Sequence, residues 1–144
     1  MQVFLGRHAH NLDDKGRLAI PSRFRESLRD GVVLTRGIDR CIAAYPLAAW
    51  DVLAAQVNGL PMTDPDARQF RRMVFAEAVD LKLDSQGRVL VPTALRQHAG
   101  IDREAIIIGV HASLEIWSPN RWGAVDAALA TDGDEIAARL AQML

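Results

Sequence analysis

The chain repeats itself, and the repeat restricts its possible folds more than any other feature. Leu12-Asp13-Asp14-Lys15-Gly16-Arg17-Leu18-Ala19-Ile20-Pro21-Ser22-Arg23-Phe24-Arg25 returns as Leu83-Asp84-Ser85-Gln86-Gly87-Arg88-Val89-Leu90-Val91-Pro92-Thr93-Ala94-Leu95-Arg96. Six of these 14 positions are identical, where a chance alignment would give about one. Leu18/Val89, Ile20/Val91, Ser22/Thr93 and Phe24/Leu95 are conservative pairs. Further on, Gly37 matches Gly109, Tyr45 matches Trp117 and Trp50 matches Trp122. With 144 residues, one unit has been duplicated. Each copy, with a core of about 45 residues, is too small to stand comfortably alone. The two copies are therefore expected to pack together or to assemble with other chains.

Each unit carries the same succession of signals. Val3–Leu12 and Val79–Leu83 read as strands, the latter in strict alternation. Asp-x-x-Gly then makes a turn in which glycine takes positive φ. A second strand, Arg17–Ile20 or Arg88–Val91, is expected to close a β-hairpin on the first. Pro21 and Pro92 end those strands and suit the first turn of a helix. The helices, Ser22–Arg29 and Thr93–His98, stop before Gly31 and Gly100. Strands follow at Val32–Thr35, Cys41–Tyr45, Ala105–Gly109 and Leu114–Trp117. Apolar helices containing Trp50 and Trp122 follow Pro46 and Pro119. Leu60–Asp66 reads as a linker, and Arg68–Ala78 as a helix with Phe70, Met73 and Val74 on one face. Asp132-Gly133 predicts a break before a last helix over Asp134–Leu144. The organisation is thus a first repeat over 1–59, linker and helix over 60–76, a second repeat over 77–123, and a helical segment over 124–144. The fold class is α+β, mainly β.

Composition limits the function. The chain is 49% hydrophobic and 24% charged, which excludes a disordered or low-complexity protein. No apolar run reaches the roughly 18 residues of a membrane span, and no basic-then-apolar leader opens the sequence; a cytosolic location without membrane partners is expected. Cys41 is the only thiol, so neither a disulfide framework nor a cysteine-rich zinc site is available. The net charge of −1 is divided unevenly. Residues 1–72 hold 11 Lys/Arg against 8 Asp/Glu, and residues 73–144 hold 6 against 10. Contact with nucleic acid must therefore come from local basic arms.

The arms are the two Asp-x-x-Gly-Arg turns. Asp13 and Asp84 can each accept the turn's backbone N–H groups and pin Arg17 or Arg88 by a charge-assisted hydrogen bond. Turn stabilisation alone would account for one copy; two copies with the same Asp, Gly and Arg favour a shared task. Arginine is the side chain best suited to phosphate and to guanine O6/N7. A narrow two-stranded ribbon with a basic tip also fits the DNA major groove. One arm offers few phosphate contacts, so several arms at fixed spacing are expected to act together. His8 and His10 share a strand face but lack a supporting ligand cluster, and surface histidines explain them more simply. Cys41 reads as a small core residue, and Trp50, Trp117 and Trp122 as core aromatics. Arg71-Arg72 reads as a solvated helix face. No nucleophile elbow, P-loop or dinucleotide fingerprint is present.

The duplicated Asp-x-x-Gly-Arg-(x)₃-Pro pattern resembles the MraZ family of bacterial transcriptional regulators, built from two SpoVT/AbrB-type domains. Further matching landmarks are Phe4-x-Gly6, His10, Tyr45-Pro46 with Trp50, Ala99-Gly100-Ile101-Asp102, Ile106-Ile107-Ile108-Gly109, and Glu115-Ile116-Trp117 with Trp122. The resemblance implies a pseudo-two-fold, tandem AbrB-like β-barrel of swapped hairpins with flanking helices, assembling into rings. It implies a nucleoid-associated protein that binds double-stranded DNA at direct repeats in the promoter of the division and cell-wall gene cluster. Repression of its own operon, without cofactor or catalysis, is the expected outcome. Arg7, Lys15, Arg17, Gln86 and Arg88 are the expected DNA-binding residues; Asp13, Gly16, Asp84 and Gly87 orient the arms. The alternative is an antitoxin-like AbrB module whose main partner is a protein. An enzyme using Asp, Arg and His in a cleft is a third reading that no sequence signature supports.

Overall fold

A computed structural model of the chain describes residues 3–144. Its strands are β1 (Arg7–Asn11), β2 (Arg17–Ala19), β3 (Val32–Arg36), β4 (Ile42–Pro46), β5 (Val79–Leu81), β6 (Arg88–Leu90), β7 (Glu104–Gly109) and β8 (Leu114–Trp117). The α-helices are α1 (Leu47–Asn58), α2 (Pro65–Ala76), α3 (Thr93–Ala99) and α4 (Pro119–Leu140). The strands form a six-stranded antiparallel sheet, β1-β7-β8-β4-β3-β5, and a separate two-stranded ribbon, β2-β6.

The repeats are swapped into one another. Each turn does close locally, with Asp13 N–H donating to Arg17 O and Asp84 N–H to Arg88 O, both 2.9 Å. Beyond the turn, however, β1 leaves its own repeat to pair with β7, and β5 pairs with β3. The expected self-contained hairpins are therefore replaced by cross-repeat ladders. A lone unit would expose the apolar face of β3 or β7 as an unpaired edge, and the swap covers it with strand from the other copy. The barrel is open, because edge strands β1 and β5 share no ladder.

A pseudo-dyad runs through the centre of the molecule. In β2-β6, Leu18 lies opposite Val89, its own counterpart in the repeat, with Arg17 opposite Leu90 and Ala19 opposite Arg88. In β4-β8, Ala43 likewise lies opposite its counterpart Glu115. Reciprocal bonds of 2.9 Å, Ile20 N–H to Gly87 O and Val91 N–H to Gly16 O, extend the ribbon symmetrically. Leu18, Leu28, Leu34, Ile42, Ile107, Leu114 and Ile116 are wholly buried in one core that spans both repeats.

Local structure departs from the sequence reading in four places, each with a physical cause. Gly6 bends the chain at φ +87°, so the strand expected over Val3–Leu12 is reduced to an isolated Phe4–His111 bridge followed by β1. The helix expected over Ser22–Arg29 is two 3-10 turns, Ser22–Phe24 and Glu26–Leu28. Its counterpart α3 ends in a left-handed Gly100, with Gly100 N–H on Gln97 O and Ile101 N–H on Arg96 O. That closure needs glycine, and the first repeat has Arg29 at the matching position, in right-handed backbone. α2 begins earlier than Arg68, at Pro65, because Asp64 caps it by accepting the Asp66 N–H at 2.9 Å. Finally, α4 runs unbroken through Asp132-Gly133. A mid-helix glycine costs only about 1 kcal/mol, which an alanine-rich helix of 22 residues absorbs.

Leu18 sits on the pseudo-dyad with no exposed surface. Leu18→Ala is expected to lower unfolding free energy by about 2–5 kcal/mol, the range for a leucine cavity in a packed core. Urea denaturation checks this, and a loss below about 1 kcal/mol would mean that the dyad contact is not part of the core.

Candidate nucleic-acid interface

Both Asp-x-x-Gly-Arg turns adopt one geometry. Asp13 Oδ1 accepts the Lys15 and Arg17 backbone N–H groups at 3.0 and 2.9 Å, while Oδ2 accepts Arg17 Nε at 2.6 Å. Asp84 Oδ1 accepts the Gln86 and Arg88 N–H groups, each at 2.9 Å, and Oδ2 accepts Arg88 Nε at 2.9 Å. Gly16 and Gly87 take φ of +83° and +75°, the left-handed turn conformation that a side chain would strain. Each carboxylate thus accepts three bonds from its own turn and holds one arginine by its inner nitrogen.

The swap puts the two turns on one surface. Because Leu18 and Val89 face the core, Arg17, Ala19, Arg88 and Leu90 occupy the outward side of the same ribbon. Arg88 Nη1 reaches across to Asp13 Oδ2 at 3.5 Å, joining the turns directly. Only Nε of Arg17 is engaged, so both its terminal nitrogens lack an acceptor among the described residues. Lys15 and Gln86 stand exposed at matching turn positions. The two separate arms expected from the sequence are one composite face.

Two arginines outside the expected set complete it. Arg25 Nε donates to Ile20 O at 2.9 Å, and Arg96 Nε to Val91 O at 3.1 Å. Each guanidinium lies against the other repeat's turn glycine: Arg25 on Gly87, Arg96 on Gly16. A methyl group at Gly87 would strike the Arg25 guanidinium, and one at Gly16 would press against that of Arg96 at 3.2 Å. The repeat held the signal, since both copies end on this arginine. Arg7 lies elsewhere, on β1, with Nη1 3.1 Å from Asp126 Oδ2 and its guanidinium 5.3 Å from the Trp122 ring centre. It ties α4 to the sheet and would have to leave Asp126 to reach a phosphate.

The remaining candidates are structural. His8 packs edge-on against Phe24 with ring centres 5.2 Å apart. Cys41 is buried, and burial, followed by the nearby Glu115 and Asp39 charges, pushes its thiol up to about 12. Tyr45–Trp50 and Trp117–Trp122 are matching aromatic pairs, each with centres 5.9 Å apart. Arg71 Nη2 donates to Asn58 O and Leu60 O at 3.2 and 2.5 Å and so closes the linker rather than extending a basic surface. Among the described residues no helix is long and apolar enough to cross a membrane, and no three His, Cys, Asp or Glu residues gather as metal ligands.

Fold and turns together define a class: tandem swapped-hairpin proteins that present paired arginines, each braced by an aspartate, on one ribbon. A family model described as "MraZ protein, putative antitoxin-like" matches residues 3–73 and again 74–144. The chain is 57% identical to "Transcriptional regulator MraZ" of Thermomicrobium roseum, over 99% of this chain and all of that protein. It is 47% identical to the protein of the same name from Roseiflexus castenholzii, over 98% and 99% of the two chains. The counterpart from Pelotomaculum thermopropionicum is 44% identical over 98% and 97%. This chain belongs to the MraZ family.

The turn bonds predict how the site responds to acid. The Arg17 backbone N–H, then the Arg17 side chain and the Lys15 N–H, hold Asp13 down at about 2, against a usual 3.8. Asp84 is lowered in the same way, first by the Arg88 N–H. A lowered carboxyl stabilises the fold above its ordinary range, and that contribution vanishes as pH falls through the folded value. In an NMR titration the Lys15 and Arg17 amide signals should therefore stay constant to below pH 3.8 and move with a midpoint near 2. A midpoint at 3.8 would show that the carboxylate is not bound by the turn.

Proposed function

We propose that this chain is a sequence-specific DNA-binding transcriptional regulator whose reading head is the β2-β6 ribbon. The observation that carries the reading is the convergence of Arg17 and Arg88 on one outward face, each oriented by an aspartate. A two-stranded ribbon fits the major groove, and a forked guanidinium suits guanine O6/N7 or a phosphate. Holding each arginine by Nε fixes its fork before DNA arrives and reduces the ordering cost of binding. Lys15 adds a phosphate contact, and Gln86 offers a hydrogen-bonding amide in its place on the other turn. The name "Transcriptional regulator" carried by the relatives supports the reading. The proposal is one of binding, without catalysis.

The finer proposal follows the family resemblance. The chain acts at the nucleoid, on direct repeats in the promoter of the division and cell-wall gene cluster, and represses its own operon. It works as a ring of identical chains. One ribbon has few cations beside Asp13, Asp14 and Asp84, so several ribbons held at fixed spacing supply affinity through effective concentration. The antitoxin-like alternative is echoed in the family model's description, but the C-terminal segment is a helix whose Asp126 is bound to Arg7 on the sheet, not an extended tail for a protein partner.

A gel-shift salt series over DNA upstream of the chain's own gene tests the proposal. Arg17→Ala should weaken binding by about 1–3 kcal/mol, roughly 5- to 150-fold, as for loss of a forked base contact. Thermal unfolding should stay close to that of the native chain, since the Arg17 backbone N–H still holds Asp13 in the turn and a partly exposed ion pair contributes little. Lys15→Gln should mainly flatten the salt dependence, by about one unit of slope. Native-like binding by Arg17→Ala, with its fold intact, would refute the reading.

A further inference from the structure

The ribbon's two-fold symmetry is broken at its centre. The pseudo-dyad carries Arg17 onto Arg88 but Ala19 onto Leu90. Leu90 is 54% exposed, whereas its neighbours Val89 and Val91 are each 1% exposed. Its outward position follows from strand alternation, and it lies directly opposite Arg17. An apolar side chain is thereby left bare across the ribbon from Arg17 and two residues along its own strand from Arg88, where the first repeat has only a methyl.

We propose that Leu90 is a specificity-determining residue that packs on the C5-methyl group of a thymine in the major groove. The thymine lies beside the position reached by Arg17. This deepens the DNA-binding reading and rests on it. The chemistry follows from the face itself: Arg17 and Arg88 draw it to a polyanion, and thymine alone among the DNA bases offers a methyl group in the major groove. A ribbon with identical halves would read a duplex equally well after half a rotation. Leu90 on one side and Ala19 on the other make the two orientations unequal, so the ribbon recognises a directional sequence. Lys15 against Gln86 adds a second difference, but one directed at polar groups.

The test begins with duplexes selected by the native chain from a random-sequence pool. Each thymine of the enriched site is then replaced by deoxyuridine, which lacks only the C5-methyl group, and Kd is measured at fixed salt. At one position the native chain should lose about fourfold in affinity, the worth of one buried methyl group. Leu90→Ala should bind the thymine and deoxyuridine duplexes equally at that position. The double variant Ala19→Leu/Leu90→Ala should move the penalty to the position related by the ribbon's dyad. An unchanged thymine penalty in Leu90→Ala overturns the proposal, as does a native chain with no penalty anywhere. If Leu90→Ala instead changes the assembly size by light scattering and leaves the penalty intact, Leu90 is a contact between copies and the proposal fails. Arg17→Ala, run in parallel, separates the two failures. Binding lost in Arg17→Ala with a native thymine profile in Leu90→Ala rejects only the role of Leu90. No enriched sequence, together with native-like affinity of Arg17→Ala for random duplex, rejects the DNA-binding reading and this inference with it.

Discussion

The structure depends on the antiparallel pairing of β2 with β6 about Leu18 and Val89. Leu18 and Val89, counterparts in the two repeats, face each other there, and this inward pair joins the common core. Because strand side chains alternate, burying Leu18 and Val89 forces Arg17 and Arg88 outward on a single side. The position of the proposed DNA-binding face is thus a direct result of how the core is packed. A one-residue slip in this register would bury both arginines and expose the two apolar residues. The same swap that completes the sheet therefore also brings the two arginine turns onto one surface.

A surface proposed to meet a polyanion is not an obvious place for Asp13 and Asp84. Their effect is best understood through the donors they occupy. Each carboxylate is committed to two backbone N–H groups and one Nε, so it organises its turn more than it repels phosphate. Arg25 and Arg96 brace the assembly from outside, each lying over the other repeat's turn glycine. That reciprocity means neither turn is built by one repeat alone. It accounts physically for the presence of Gly16 and Gly87, which provide both the left-handed backbone and the space for a guanidinium.

Much of this was legible in the sequence because it is local. The Asp-x-x-Gly-Arg turns, the strands after them and the helices after Pro46 and Pro119 are all set by residues a few positions apart. Strand partnership was not legible. The hydrophobic pattern of Val79–Leu83 is the same whether it pairs within its own repeat or with β3, and the swap is decided by which edge must be covered. The helix expected at Ser22–Arg29 failed on one residue, Arg29 where the closure of α3 uses Gly100. Asp132-Gly133 carries the signal of a break, although the surrounding alanines carry α4 through it. Charge alone marks Arg7 in the sequence, and its partners Asp126 and Trp122 lie more than a hundred residues away along the chain. Leu90 passed unnoticed because Val89-Leu90-Val91 reads as a uniformly apolar run until the ribbon shows which residue faces out.

The central claim is that the two turns form one interface. It is tested most directly by following the arginine Nε–H resonances while the chain is titrated with its duplex. The account predicts that the signals of Arg17 and Arg88 shift together, along one binding curve, while that of Arg121, bonded to the His98 carbonyl at 2.7 Å, stays in place. Movement of one turn's arginine while the other remains unperturbed would contradict it.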